Sequence, residues 1–187
     1  MFDVSDNALM EKITCGDHDA FGALVKKYTK YFYAVAFRYL SDKQVAEDMT
    51  QQAFLKLWEA PFKFDPSKGV HFKTWFTSVI VHLCIDYKRK NRYQCPWVQE
   101  MDVQSEEKSA DKKILQMQAY ALLEQSIQSL PVNQQTAINL GFYQELPYKE
   151  VAQIMKTTPS AVKSLIMRAK ENIKKNMEEL THAQSKI

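Results

Sequence analysis

Apolar residues recur at helical spacing along most of this chain. From Asp19 to Tyr39 they fall at Phe21, Leu24, Val25, Tyr28, Phe32, Val35, Ala36 and Tyr39, steps of three and four that line one face of a long amphipathic helix. A second run, Val45, Met49, Ala53 and Leu57, follows the cap-forming Ser41 or Asp42 and stops before Pro61. A third carries Phe72, Trp75, Phe76, Val79, Ile80, Leu83 and Tyr87 into the basic run DYKRKNR. With a short helix ending at Gly16 these predict one compact bundle, and FKFDPSKGVH between the second and third runs is its turn-forming loop.

Periodicity is lost over residues 93–111 and resumes near Asp111 with Ile114, Leu115, Leu122, Ile127 and Leu130. Pro131 suits the first turn of another helix, expected to end around Gly141. After Pro147, the positions Val151, Ala152 and Met155 mark a short helix and Lys156-Thr157-Thr158 a tight turn. Thr158 then caps a helix whose first residue is Pro159. Two short helices across such a turn predict a helix-turn-helix. The expected fold class is therefore all-α: two small helical domains, residues 1–92 and 112–187, joined by a flexible linker at 93–111.

Composition agrees. In 187 residues, four Gly and six Pro leave few turn formers, and a 45% hydrophobic content can fill a core. The start MFDVSDN is acidic and leads into no apolar stretch, and no run approaches the length of a membrane span, so a cytoplasmic protein with no membrane insertion is expected. Three cysteines, Cys15, Cys84 and Cys95, form no CxxC pair. His71, His82, Cys84 and Cys95 lie within reach in sequence, but nothing sets ligand spacing, so neither metal nor cofactor is expected.

The net charge of +3 is small, but its distribution is uneven. Residues 149–175 carry seven Lys or Arg against two Glu, residues 86–92 add a net +3, and residues 93–112 hold five acids against two lysines. Nucleic acid is the partner such basic segments suit. An enzyme has little to stand on: there is no P-loop, no Gly-rich phosphate cradle and no nucleophile–base grouping at recognisable spacing, and hence no small-molecule substrate is expected.

Within PYKEVAQIMKTTPSAVKSLIMRAKENIKK, Val151, Ala152, Met155, Val162 and Leu165 or Ile166 can form a helix-turn-helix core. That leaves Ser160, Ala161, Lys163, Ser164, Met167 and Arg168 near the start or outer face of the second helix. Lys170, Lys174 and Lys175 farther along would meet phosphates, which fix register without reading sequence. A solvated basic helix hairpin is the plainer alternative. In the first half, Asp48, Gln51 and Gln52 share one side of the second predicted helix while Met49, Ala53 and Leu57 face the core.

Both halves resemble bacterial sigma factors of the extracytoplasmic-function type in the sigma-70 family. Ala161 to Ala169, AVKSLIMRA, is similar to the T-V-K-S-R-L-x-R-A recognition helix of region 4, after an LP start at Leu130-Pro131. AEDMTQQAFLKLW at 46–58 is similar to the A-E-D-x-x-Q-E-x-F-x-x-x-W signature of region 2. Departures are Ala161 for Thr, Leu165 for Arg and Gln52 for Glu. The resemblance covers about residues 8–91 and 112–176 and leaves no room for the central region of housekeeping factors.

It implies a factor that binds core RNA polymerase, recognises the −35 and −10 promoter elements, aids promoter melting and meets an anti-sigma factor. Asp48, Gln51 and Gln52 would contact core polymerase. Phe64, Lys68, His71, Lys73, His82, Lys88, Arg89 and Lys90 would hold the −10 element, with Phe64, Phe72 and Trp75 the aromatics at hand for stacking and the last two better suited to the core. Ser160, Ala161, Lys163, Ser164, Arg168, Lys170, Lys174 and Lys175 would meet the −35 duplex. The alternatives are a stand-alone helix-turn-helix regulator and an interaction protein that binds through its N-terminal bundle.

Overall fold

The computed structural model describes residues 5–91 and 110–184, with side chains from 119 to 179 in the second stretch. Residues 93–109 of the expected linker, Cys95 among them, lie outside the described residues, whereas its last two, Ala110 and Asp111, are helical. The chain divides into two units at Cys95 and Pro96, and among the described residues every regular element is helical.

The first unit holds helices α1 (Asp6–Thr14), α2 (His18–Leu40), α3 (Lys43–Glu59) and α4 (Phe72–Lys90), of which the first three begin at a side-chain acceptor. Asp17 accepts from the Ala20 amide at 2.9 Å and Asp42 from the Val45 amide at 2.9 Å, each satisfying a donor that the first turn leaves open. Of the two residues proposed to cap α3, Asp42 does so, whereas Ser41 ends α2 in the left-handed region at φ 53°. The apolar stripes converge on Leu24, Phe32, Val35 and Ala36 of α2, Ala53 and Leu57 of α3, and Phe72, Phe76 and Ile80 of α4, all buried. Phe32 and Phe76 meet edge to face with centroids 4.7 Å apart. Two single 3₁₀ turns, Pro61–Lys63 and Pro66–Lys68, carry the chain from α3 to α4.

The second unit holds α5 (Ala110–Gln128), α6 (Val132–Ile138), α7 (Tyr148–Met155) and α8 (Pro159–Gln184). Pro131 stands just before α6, as its N-cap, rather than within its first turn. The segment expected to stop at Gly141 instead widens into a π-turn over Asn139–Tyr143. A Cβ at Gly141 would lie 2.8 Å from Ile166 Cδ1 of α8, so a side chain there would oblige the Ile166 terminal methyl to move. Val151, Ile154, Val162, Ile166 and Ala169 form the buried helix-turn-helix core. Lys156 ends α7 in the left-handed region at φ 52°, and Thr158 accepts from the Ala161 amide at 3.2 Å, which fixes the start of α8. Asn172 donates to Gln134 at 2.8 Å and Asn176 to Ser129 Oγ at 2.8 Å, tying α8 along its length to the preceding helices.

Candidate nucleic-acid and partner interfaces

On α8 the buried positions Val162, Ile166 and Ala169 leave the opposite side to Ser160, Lys163, Met167 and Arg168, all exposed, with Ser164 and Ala161 partly covered. Ser160, Ser164, Met167 and Glu171 follow one another at four, three and four residues, so they run along one strip of surface. Lys163 flanks it on one side and Arg168 on the other. The Ser164 hydroxyl donates to the Ser160 carbonyl at 3.1 Å, which turns its proton inward. Lys174 continues this strip three residues beyond Glu171, and Lys170 lies beside it. They line an apolar groove with Leu123, Phe142, Ile173 and Met177, and Lys170 Nζ lies 5.4 Å from the centre of the Phe142 ring. Lys174 reaches Glu178 at 4.0 Å and Lys175 reaches Glu179 at 3.8 Å, both exposed pairs of small energetic weight.

In the first unit Asp48, Gln51 and Gln52 are exposed together on α3. Beside them runs an apolar groove between α2 and α3, lined by His18, Phe21, Val25, Leu55 and Trp58. His18 packs on Trp58 at 4.5 Å between centroids and Phe21 at 5.1 Å, while Leu55 is 55% exposed on the same side as Gln51 and Gln52. Sequence reasoning passed over this groove. Its signal was Leu55, an apolar residue three and four positions after those two glutamines, on a face otherwise polar.

The residues expected at the −10 element separate into groups. Phe64 is a correction: it is 6% exposed and wedged between Phe72 and Trp75 at 5.5 and 5.3 Å, so it presents no free ring face for a base. The reason is that Phe64, between two 3₁₀ turns, packs against Phe72 and Trp75 of α4. The exposed aromatic of the loop is Phe62, at 72%. Lys73 likewise turns from the outer face of α4, with its Nζ 3.9 Å above the Tyr31 ring. Trp75, Ser78, His82 and Arg89 recur at helical spacing on one side of α4, with His71 at its N-cap and Lys90 exposed at its end. Lys88 is partly covered, and Arg89 pairs with Asp86 at 3.2 Å. In the loop, Asp65 accepts from the hydroxyl and the amide of Ser67 at 2.6 and 3.0 Å. These bonds, with Lys68 at 3.6 Å, hold its carboxyl below the ordinary carboxylate range.

Among the described residues no group of three or more His, Cys, Asp or Glu is arranged to hold a metal ion, and no helix is long and apolar enough to cross a membrane. Cys84 of α4 is buried, and burial pushes its thiol up to about 12.

A helical bundle followed by a helix-turn-helix with an exposed, cation-flanked second helix defines a two-module DNA-binding protein. Its modules match the models for Sigma-70 region 2, over residues 24–93, and Sigma-70 region 4, over residues 120–173. The RNA polymerase sigma-H factor of Pseudomonas aeruginosa is 28% identical, over 94% of this chain and 95% of that protein. The ECF RNA polymerase sigma-E factor of Haemophilus influenzae is 26% identical, over 95% and 97%. The fold is similar to that of the sigma factor RpoE solved with the anti-sigma factor NepR from Bartonella quintana. The TM-score is 0.63, at 19% identity over 84% of this chain and 96% of that one. The chain belongs to the sigma-70 family, as a factor of the extracytoplasmic-function type that directs RNA polymerase to promoters.

Proposed function

We propose a division of labour between the two units. Asp48, Gln51 and Gln52, with the neighbouring groove at Leu55 and Trp58, hold core RNA polymerase. The exposed side of α4 around His82 and Arg89, with His71 and Lys68 from the loop, meets the −10 element. The Ser160 to Arg168 strip of α8 enters the −35 major groove, and Lys175 meets phosphate. The observation that carries this reading is the sharp cap at Thr158, which supports a fixed start for α8 with its uncovered side occupied by Ser160, Lys163 and Arg168.

Magnitudes favour a factor that works on polymerase over a stand-alone regulator. A single small helix-turn-helix of modest charge binds DNA non-specifically with dissociation constants around 10⁻⁴ to 10⁻⁶ M. Tethering through polymerase makes the second contact intramolecular and raises avidity on the order of 10² to 10⁴.

The factor catalyses nothing itself and acts in the cytoplasm, where polymerase and promoter are. The anti-sigma complex of the Bartonella relative supports an anti-sigma partner here as well. Gel filtration with purified core polymerase, followed by run-off transcription on a genomic library, tests the reading. Co-elution and defined starts are expected, and DNA binding without co-elution would favour the stand-alone regulator.

A further inference from the structure

Met167 is the one large apolar side chain standing out from α8 among the described residues, at 58% exposure. Single exposed apolar residues are common on any surface, so its exposure alone decides nothing. Its position does. It sits in the middle of the strip that begins at Ser160, one helical step beyond Ser164, with Lys163 on one flank and Arg168 on the other. It is thus carried wherever those two cations go.

Between the two cations the strip itself offers few hydrogen-bond donors: the Ser164 hydroxyl is spent on the Ser160 carbonyl at 3.1 Å, and Met167 has none. A base edge that lies under the middle of the strip, between Lys163 and Arg168, is therefore met by apolar contact. The major groove presents one apolar feature, the 5-methyl group of thymine. A thioether, unbranched and with three rotatable bonds, adapts its shape to such a target without a polar atom to leave unpaired.

We infer that Met167 is a specificity residue that selects a T·A pair in the upstream element by contact with the thymine methyl. This rests on the reading of α8 as the helix in the −35 groove. Glu171, the next member of the strip, places a carboxylate there, which phosphates would repel.

The test uses the complex of this factor with core polymerase. Duplexes are first selected from a library randomised over the upstream element. Each thymine of the selected sequence is then replaced by uracil, which removes only the methyl. One replacement should weaken binding roughly four-fold, the effect of uncovering about one methylene's worth of apolar surface. Met167→Ala should bind the thymine and uracil duplexes alike, and Met167→Leu should keep the preference.

The inference is overturned if no A·T pair is selected, if no thymine is sensitive, or if uracil weakens Met167→Ala as much as the parent. It is also overturned if Met167→Ala weakens selected and scrambled duplexes equally, since Met167 would then touch backbone or polymerase. Failure of the underlying reading looks different: Lys163→Ala and Arg168→Ala would then leave the selected sequence unchanged.

Discussion

Phe64 stands edge-on to Phe72, with ring centroids 5.5 Å apart and planes at 84°. The loop between α3 and α4 is therefore anchored through the residue that its sequence offers most readily as a base-stacking platform. Phe64→Ala should cost about 3 to 5 kcal/mol in urea unfolding of the N-terminal unit, as removal of a core phenyl ring does. Phe62→Ala, at an exposed position, should fall within about 0.5 kcal/mol of the parent. Equal stabilities for the two variants would show that Phe64 is not part of the core.

Polymerase affinity should depend on the apolar groove as well as on the polar row. Asp48→Ala and Gln51→Ala should each weaken co-elution with core polymerase by up to about tenfold, the size of one lost hydrogen bond. Leu55→Asp should do more, because it would bury an unpaired carboxylate. Circular dichroism should report unchanged helix content in all three. Full retention of binding by Leu55→Asp would remove the groove from the interface.

His82 and the loop that Asp65 organises should govern preference at the start-proximal element. Exchanging residues 64–73 for those of a relative, or changing His82 to Asn, should alter the preferred bases there and leave the upstream element as it was. Sequencing of promoters selected by each variant holoenzyme would read this directly, and a shift at the upstream element would mean that the loop has been assigned the wrong target.

Reading and holding on α8 should fail differently. Lys163→Ala should lose about 1 to 3 kcal/mol on the selected duplex and much less on scrambled DNA. Lys175→Ala should weaken both alike and lower the salt slope by about one unit. Lys174→Ala is a sharper case, because Lys174 belongs to the groove beside Phe142. It should show a smaller salt effect than Lys175→Ala, measured in the polymerase complex across several salt concentrations.

Burial of Cys84 sets an alkaline limit. Its thiol is pushed up from 9.0 to about 12, so the folded form keeps a proton that the unfolded chain releases above pH 9. The stabilisation is complete below pH 9 and declines at about 1.4 kcal/mol per pH unit as pH rises toward 12. Cys84→Ala should flatten that decline relative to the parent in urea titrations between pH 8 and 11. At neutral pH an alkylating reagent should modify exposed Cys15 and spare Cys84 until the N-terminal unit opens.

Much of the architecture was legible in the order of residues, because local chemistry and apolar spacing agree there. Thr158 before Pro159 announces α8, and the runs through Phe32, Leu57 and Phe76 announce the bundle. What was missed depends on contacts distant in sequence. Gly141 reads as a helix stop, yet it lies within a widened turn that packs close to Ile166, twenty-five positions later. Phe64 reads as an exposed loop aromatic because nothing nearby in sequence announces its partner Trp75. Lys73 looks like a phosphate ligand until the Tyr31 ring of another helix is brought beneath it. On α8 the periodicity separated buried from exposed positions correctly but did not reveal the groove that claims Lys170 and Lys174.

Because α8 runs unbroken from Pro159 to Gln184, its two working surfaces are locked in rotational phase like two cams on one shaft. The strip at Ser160, Lys163 and Met167 and the groove wall at Ile173 and Met177 have no joint between them. Inserting one alanine after Arg168 would rotate the first against the second by about 100°, while inserting seven would leave them within about 20° of their original alignment. The angular relation between the strip and the groove is thus written into the number of residues between Met167 and Ile173.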